Sequence, residues 1–350
     1  MIELRNDTLV ISFPEIHPAA RLRISFQRTL RIPDDGRSYP LPPSIGAFPV
    51  RHVDDFAARV SPQWLERGGV MLPMFQAEAM WLDFGSDLVP EHGVSYPFAV
   101  KIAAGKINAA SGEDWREGLH RGPQDYLVAP KQPWLDGYCV EKGFIRQFVA
   151  MPLGSGYSAE EQLTGKAEHG GVQIAVYPMK RAVFERRFPK RPPPPPFAAR
   201  AAMGPPMPSA APMDCCMESA GMGLAAGGRM RQEIYDDPYD FYDWDSAVTS
   251  RCFVHLCNSL VWQSITGSAP PHPAPTADSY TRAGLPWFDY YSDGLAALPG
   301  SDRLAGVKSV AELSAEKGDA VLPENTPVSP ENIHLIRAGL TPGQVREGEF

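Results

Sequence analysis

Residues 21–27 read RLRISFQ, and Leu22, Ile24 and Phe26 alternate there with Arg21, Arg23, Ser25 and Gln27. Leu30 and Ile32 resume the same phase beyond Arg28. Successive side chains on a strand point to opposite faces, so this period of two predicts a half-buried β-strand. Residues 8–13 repeat the pattern through Leu9, Ile11 and Phe13, and His17-Pro18 between the two runs supplies turn chemistry for a hairpin. Further strands are expected at 70–72, 98–102, 126–129, 144–151 and 172–177, separated by connections bearing Gly and Pro. No long amphipathic helix precedes residue 180, so the expected fold is mainly β, or α+β, with an antiparallel β-sandwich or barrel-like N-terminal region. Helix is limited to short pieces: one or two within 53–67, broken at Ser61-Pro62, and a turn or two opened by the capping-box spacing of Ser158 and Glu161.

Composition changes at residue 189. Residues 189–228 hold ten of the 37 prolines, five of them consecutive from Pro192 to Pro196, followed by an Ala-, Gly- and Met-rich run. Consecutive prolines favour a stiff polyproline II rod, and the remainder offers no periodic apolar face, so 189–228 reads as a disordered tether. Arg186, Pro189 and Pro192 match an R-x-x-P-x-x-P spacing, but any polyproline tract produces such matches. The division is then a β-rich domain at 1–188, the tether, and an acidic mixed α/β region at 229–350 packing onto the first domain. That last region is expected to hold a strand at 251–256 and three short helices. Asn258 caps the first, which ends at Gly267; the second spans 276–283; Ser309 with Glu312 caps the third, which ends at Gly318.

Charge narrows the partners. Residues 1–190 carry 22 basic and 22 acidic side chains, whereas 229–350 carry 9 and 17, so the net charge of −8 sits in the last third. Phosphate backbones are bound by a surplus of Lys and Arg, which this chain lacks, so no nucleic-acid partner is expected. No run approaches the ~18 apolar residues of a membrane span, and the first residues lack the pattern of a signal peptide. Five cysteines, odd in number and sparse, suit free thiols in a cytoplasmic protein. Residues 180–191 gather six basic side chains around Glu185, the composition of a solvated helix face.

Several segments bear residue types suited to chemistry. Residues 154–159, GSGYSA, have the G-x-G-x-x-A spacing of a dinucleotide loop, but the following helix is too short and no acid ends the next strand, which leaves a Gly-rich turn. His169-Gly170-Gly171 resembles an oxyanion-forming HGG, yet no G-x-S-x-G nucleophile elbow exists in the chain. Residues 235–245, YDDPYDFYDWD, interleave five acids with aromatics, which suits a covering loop, a docking segment or a carboxylate pair acting on a sugar. Cys252, His255 and Cys257, and Cys215 with Cys216 amid Met residues, are candidates for a soft metal, although Cys252 and His255 point to opposite faces of a strand. Arg146, Gln147, Gln162, His169 and Gln173 lie on or beside strands and are the candidate ligand-binding residues of a polar pocket. No cofactor is expected. The reading is a β-rich binding or interaction protein with a protein partner or a small polar ligand. An enzyme acting on a polar small molecule or carbohydrate is the alternative, and soft-metal binding through the Met/Cys tether a third.

Overall fold

The structure, a computed structural model, describes residues 1–190, 221–292, 294–319 and 326–338. The principal strands are β1 (Ile2–Arg5), β2 (Thr8–Ser12), β3 (Arg21–Thr29), β4 (Val70–Met74), β5 (Ala79–Ser86), β6 (Phe98–Ala104) and β7 (Gly137–Glu141). They continue with β8 (Phe144–Pro152), β9 (Val172–Pro178), β10 (Gly221–Arg231), β11 (Ser250–Asn258), β12 (Trp287–Ser292) and β13 (Ile333–Ala338). The helices are short: α1 (Pro62–Arg67), α2 (Ala159–Thr164), α3 (Arg181–Arg187), α4 (Ser259–Thr266), α5 (Ala277–Arg282), α6 (Asp302–Ala305) and α7 (Val310–Lys317). The protein is thus mostly antiparallel sheet with a small mixed α/β region at its C-terminal end.

The main sheet bends through three panels. In the first, β1, β2, β3 and β5 run antiparallel in that order, and the register Leu9↔Ile24, Ile11↔Leu22 places the alternating apolar residues on one face. The hairpin predicted between β2 and β3 is there, and a tighter one joins β1 to β2 through Asn6 and Asp7, both at positive φ as a two-residue turn requires. The second panel is β7, β8 and β10, and the third is β4, β11, β9 and β6, in which β4 lies parallel to β11. At the corners β8 pairs with β5 at Phe148↔Met80 and Val149↔Ala79, and β10 pairs with β11 at Gly221↔Cys257 and Met222↔Leu256. The described strands curl around a core without closing into a barrel.

One large hydrophobic cluster fills the space between the panels. It runs from Leu9 and Phe26 through Phe98, Ile174 and Leu224 to Trp287, Leu304 and Val328, so segments from both ends of the chain share it. β6 and β9 are buried along their whole length and carry near-continuous apolar runs, as strands covered on both faces do. β5 escaped the sequence reading although Met80, Leu82 and Phe84 alternate within it and are buried.

The tether boundary needs correcting. Residues 191–220 lie outside the described residues, but 221–228 open β10, a strand paired with β8 along most of its length. Its Gly and Ala content answers to close packing rather than to a linker. A Cβ on Gly228 would stand 2.4 Å from the carbonyl oxygen of Pro33, and one on Gly227 would stand 2.5 Å from Val149 Cγ2. Small residues are the ones that fit where backbone passes so near.

Three short helices begin at the caps expected from the sequence, Ser158, Asn258 and Ser309. Ser61, Ser158, Asn258, Thr276 and Ser309 each accept a hydrogen bond from the first turn of a helix, and Ser158–Glu161 and Ser309–Glu312 form complete capping boxes. α3 carries the basic segment expected at 180–191. It holds the acidic stretch at 235–245 against the sheet: Arg187 Nε donates to Asp243 at 2.7 Å, its Nη2 to Asp240 at 2.6 Å, and Lys180 Nζ to the Tyr242 carbonyl. Among the described residues no helix is long and apolar enough to cross a membrane.

Candidate functional site

A large cavity opens beside β11. Alternation along that strand sends Val254 and Leu256 into the main core and Phe253, His255 and Cys257 to the other face. α1 lies over this second face, and four groups stack there in sequence. The Trp64 indole sits 4.6 Å from the His255 imidazole, the His255 ring 4.4 Å from Phe253, and the Arg67 guanidinium 5.1 Å from the Phe253 centroid. Such stacks of planar groups are favourable beyond the area they bury.

His255 is 2% exposed, and its Nε2 donates to the carbonyl of Gly68 at 3.0 Å. Burial pushes its pKa down to about 4, the Gly68 bond opposes this, and the positive charge of Arg67 adds to it. The imidazole is therefore neutral at neutral pH, with Nδ1 left as an unprotonated acceptor that has no hydrogen-bond partner among the described residues.

The opposite rim of the cleft is the loop from α2 to β9. Glu160, buried at the start of α2, turns its carboxylate on three consecutive backbone amides: Oε1 accepts from Glu168 at 3.0 Å and His169 at 2.7 Å, and Oε2 from Gly170 at 2.7 Å. Arg67 ties α1 to the same loop, donating to the carbonyls of His169 and Glu168 at 3.0 and 2.8 Å. Two elements remote in sequence are so fixed on either side of one opening.

The cavity measures about 860 Å³. Its walls are Trp64, Leu153, Met222, Val261 and Ile265, with His255 at the base and Arg59, Gln63, His169 and Ser264 at the rim. Among the described residues the lining contains no carboxylate, and Arg59 is its charged group. Apolar walls with a few polar groups and one cation suit an organic ligand that has an apolar body and a negative or hydrogen-bonding end.

Of the five candidate ligand-binding residues, His169 lines this cavity. Gln147 is fully buried, with Oε1 accepting from Ile32 N at 3.0 Å and Nε2 donating to Leu30 O at 2.8 Å, so it staples β8 to the chain beyond β3. Gln173 accepts from Lys106 N and donates to Gly170 O; Gln162 bonds to both the N–H and the carbonyl of Lys308, holding the start of α7. Arg146 lies beside Asp34 at 3.6 Å and Glu312 at 3.9 Å. The five are not gathered in one place, and three amides serve backbone groups that strand pairing leaves open.

The other motifs resolve in the same way. The amides of Gly154 and Gly156 in the GSGYSA loop donate to Glu161 Oε1 at 2.9 and 2.8 Å, which occupies the positions a phosphate would need. The His169 and Gly170 amides of the HGG motif are likewise taken by Glu160. In the acidic stretch, Asp237 is buried and accepts from Tyr126 Oη at 2.6 Å and Trp244 Nε1 at 2.8 Å. Cys252 and Cys257 are buried free thiols with pKa values pushed up to about 12 by burial, and Cys257 packs among Val53, Trp64, Met71 and Trp262. No group of three or more His, Cys, Asp or Glu side chains suited to a metal occurs among the described residues, and Cys215 and Cys216 lie outside them.

Sequence reasoning missed Trp64, Arg59 and Arg67. They sit in or just before a six-residue helix whose pattern announces only a cap, and nothing local links them to His169 or His255. No protein-family model, curated protein or solved structure matches this chain.

Proposed function

We propose that this is a small-molecule binding protein whose cleft at α1 and β11 takes an amphipathic organic anion. The observation that carries the reading is the lining formed by the described residues: a cavity of about 860 Å³ with apolar walls, an aromatic–imidazole base, a cation at the rim and no carboxylate among them. A planar apolar body would cover Trp64 and Ile265, and the negative end would meet Arg59 and His169. His255 acts in this reading as a hydrogen-bond acceptor. With a pKa near 4 it is a weak base at neutral pH, and among the described residues no Ser or Cys side chain is hydrogen-bonded to it, which favours binding over nucleophilic catalysis. The protein works in the cytosol on this account, supported by the free buried thiols Cys139, Cys252 and Cys257.

The test uses 8-anilinonaphthalene-1-sulfonate, an aromatic anion, titrated into the full chain with tryptophan-to-probe energy transfer as the signal. Saturable one-to-one binding is expected, weakened at least about tenfold by Arg59→Glu and by Val261→Glu, which place negative charge at the rim and wall. Both positions retain solvent contact, so the variants keep the fold. Binding that is absent, or indifferent to both substitutions, overturns the proposal.

A further inference from the structure

A second, smaller pocket lies on the far side of the main sheet, where β12 docks. Phe288 of β12 pairs with Leu41 through two backbone hydrogen bonds of 2.7 and 2.9 Å, which brings the Leu41–Ser44 segment and the C-terminal strands over β5 and the residues before β7. The pocket is open to solvent and measures about 240 Å³, below the range of drug-sized sites and suited to a headgroup.

Three aromatic rings line it. Trp81 and Trp134 meet edge to face with centroids 6.2 Å apart, Phe288 closes a third side, and Tyr290 backs Trp134 at 4.7 Å. One carboxyl group borders this open apolar pocket. Asp136 follows Trp134 by two residues, so strand alternation puts both side chains on the same face. Asp136 is 2% exposed, and the Gln232 amide donates to its Oδ2 at 2.7 Å. No cationic side chain pairs with it among the described residues; Arg231, adjacent in sequence to Gln232, is committed to Asp289 at 3.0 and 3.1 Å. The indole N–H of Trp81, in the same lining, is buried without a hydrogen-bond partner.

A buried carboxyl without a cation and a buried donor without an acceptor are both costly arrangements that a ligand can relieve. The ring faces carry negative potential and attract a cation, and they repel an anion as Asp136 does. A purely apolar ligand would leave the Trp81 N–H without an acceptor and the Asp136 carboxyl without a cation. We propose that the Trp81–Trp134–Asp136 pocket binds a methylated amino alcohol, its ammonium among the rings beside the Asp136 carboxylate and its hydroxyl oxygen accepting from the Trp81 N–H. Burial pushes the Asp136 pKa up to about 7, with the Gln232 bond opposing, so the carboxylate is available above neutrality.

Choline is the probe, with 3,3-dimethyl-1-butanol as its neutral isostere, titrated into the full chain at pH 8 by calorimetry and tryptophan fluorescence. Saturable choline binding is expected, with the neutral isostere at least about tenfold weaker. Asp136→Asn keeps an acceptor for Gln232 and should remove that preference for the cation. Trp81→Phe keeps a ring but removes the donor, and should bring choline down to the affinity of tetramethylammonium while leaving tetramethylammonium unchanged. Equal binding of choline and its isostere overturns the proposal, as does absence of saturable choline binding through the millimolar range.

Discussion

The Trp64 indole and the His255 imidazole lie 4.6 Å apart with their planes 28° from parallel, so the base of the main cleft is a continuous planar surface shared by α1 and β11. The contact joins a short surface helix to a central strand, and it gives Trp64 a structural weight that its helix alone would not have. Trp64→Ala should destabilise the protein by about 3 kcal/mol, the low end for a buried aromatic because the residue borders a cavity. Trp64→Phe should cost less than half as much. Urea denaturation compares the two, and equal costs would show that ring stacking on His255 contributes nothing.

His255 also makes a signed prediction about acid. Its ordinary pKa of 6.5 falls to about 4 on folding, so between these values the unfolded chain holds the proton and the folded chain does not. Its contribution is therefore complete above about pH 6.5 and is lost as the pH drops through 4, by up to about 3 kcal/mol. In His255→Phe this part of the acid sensitivity should disappear. Stability curves of both proteins across pH 4 to 7 that stay parallel would contradict the burial argument.

Asp136 runs the other way. Its carboxyl rises from 3.8 to about 7 on folding, so over that interval the folded chain holds the proton. The associated stability is present below about pH 3.8 and is lost as the pH rises through 7, on the order of 4 kcal/mol at most. Asp136→Asn should therefore be more stable than the parent at pH 8 and lose that advantage on acidification. Thermal melts at pH 5 and pH 8 check the crossing.

Glu160 serves three backbone amides at once, and these amides belong to the rim that carries His169. Glu160→Ala should cost about 3 kcal/mol or more, because it leaves several donors without acceptors. Hydrogen exchange at Glu168, His169 and Gly170 should accelerate ahead of the rest of the molecule. Unchanged protection there would mean that the loop is held by other contacts.

Gly228 tests the correction to the tether. A methyl group at this position would meet the Pro33 carbonyl oxygen at 2.4 Å, a backbone atom with little freedom to withdraw. Gly228→Ala should lower stability by several kcal/mol, on the scale of overpacked core sites. A residue in a solvated linker would tolerate the same change within about 0.5 kcal/mol, so one melting curve separates the two accounts.

Local signals gave the parts of this fold whose cause is local. Alternation in residues 8–13 and 21–27 set β2 and β3, because a strand with one buried face must alternate. The caps at Ser158, Asn258 and Ser309 marked helix starts, because the first amides of a helix need an acceptor from the sequence beside them. β10 was hidden since its small residues answer to Pro33 and Val149, which are distant in sequence. The polar residues between 146 and 173 announced their polarity but not their partners, and Gln147 and Gln173 turn out to serve backbone groups.

By itself, then, the sequence determined an antiparallel, strand-rich chain with short capped helices and an acidic C-terminal end, since periodicity, capping and charge act over a few residues. Only the tertiary structure decided that Trp64 would stack on His255 across from His169, that the acidic stretch would settle on Arg187, and that Asp136 would lie among tryptophans without a cation. Those placements arise where the bent sheet brings remote segments together, and burial then sets what each side chain can do.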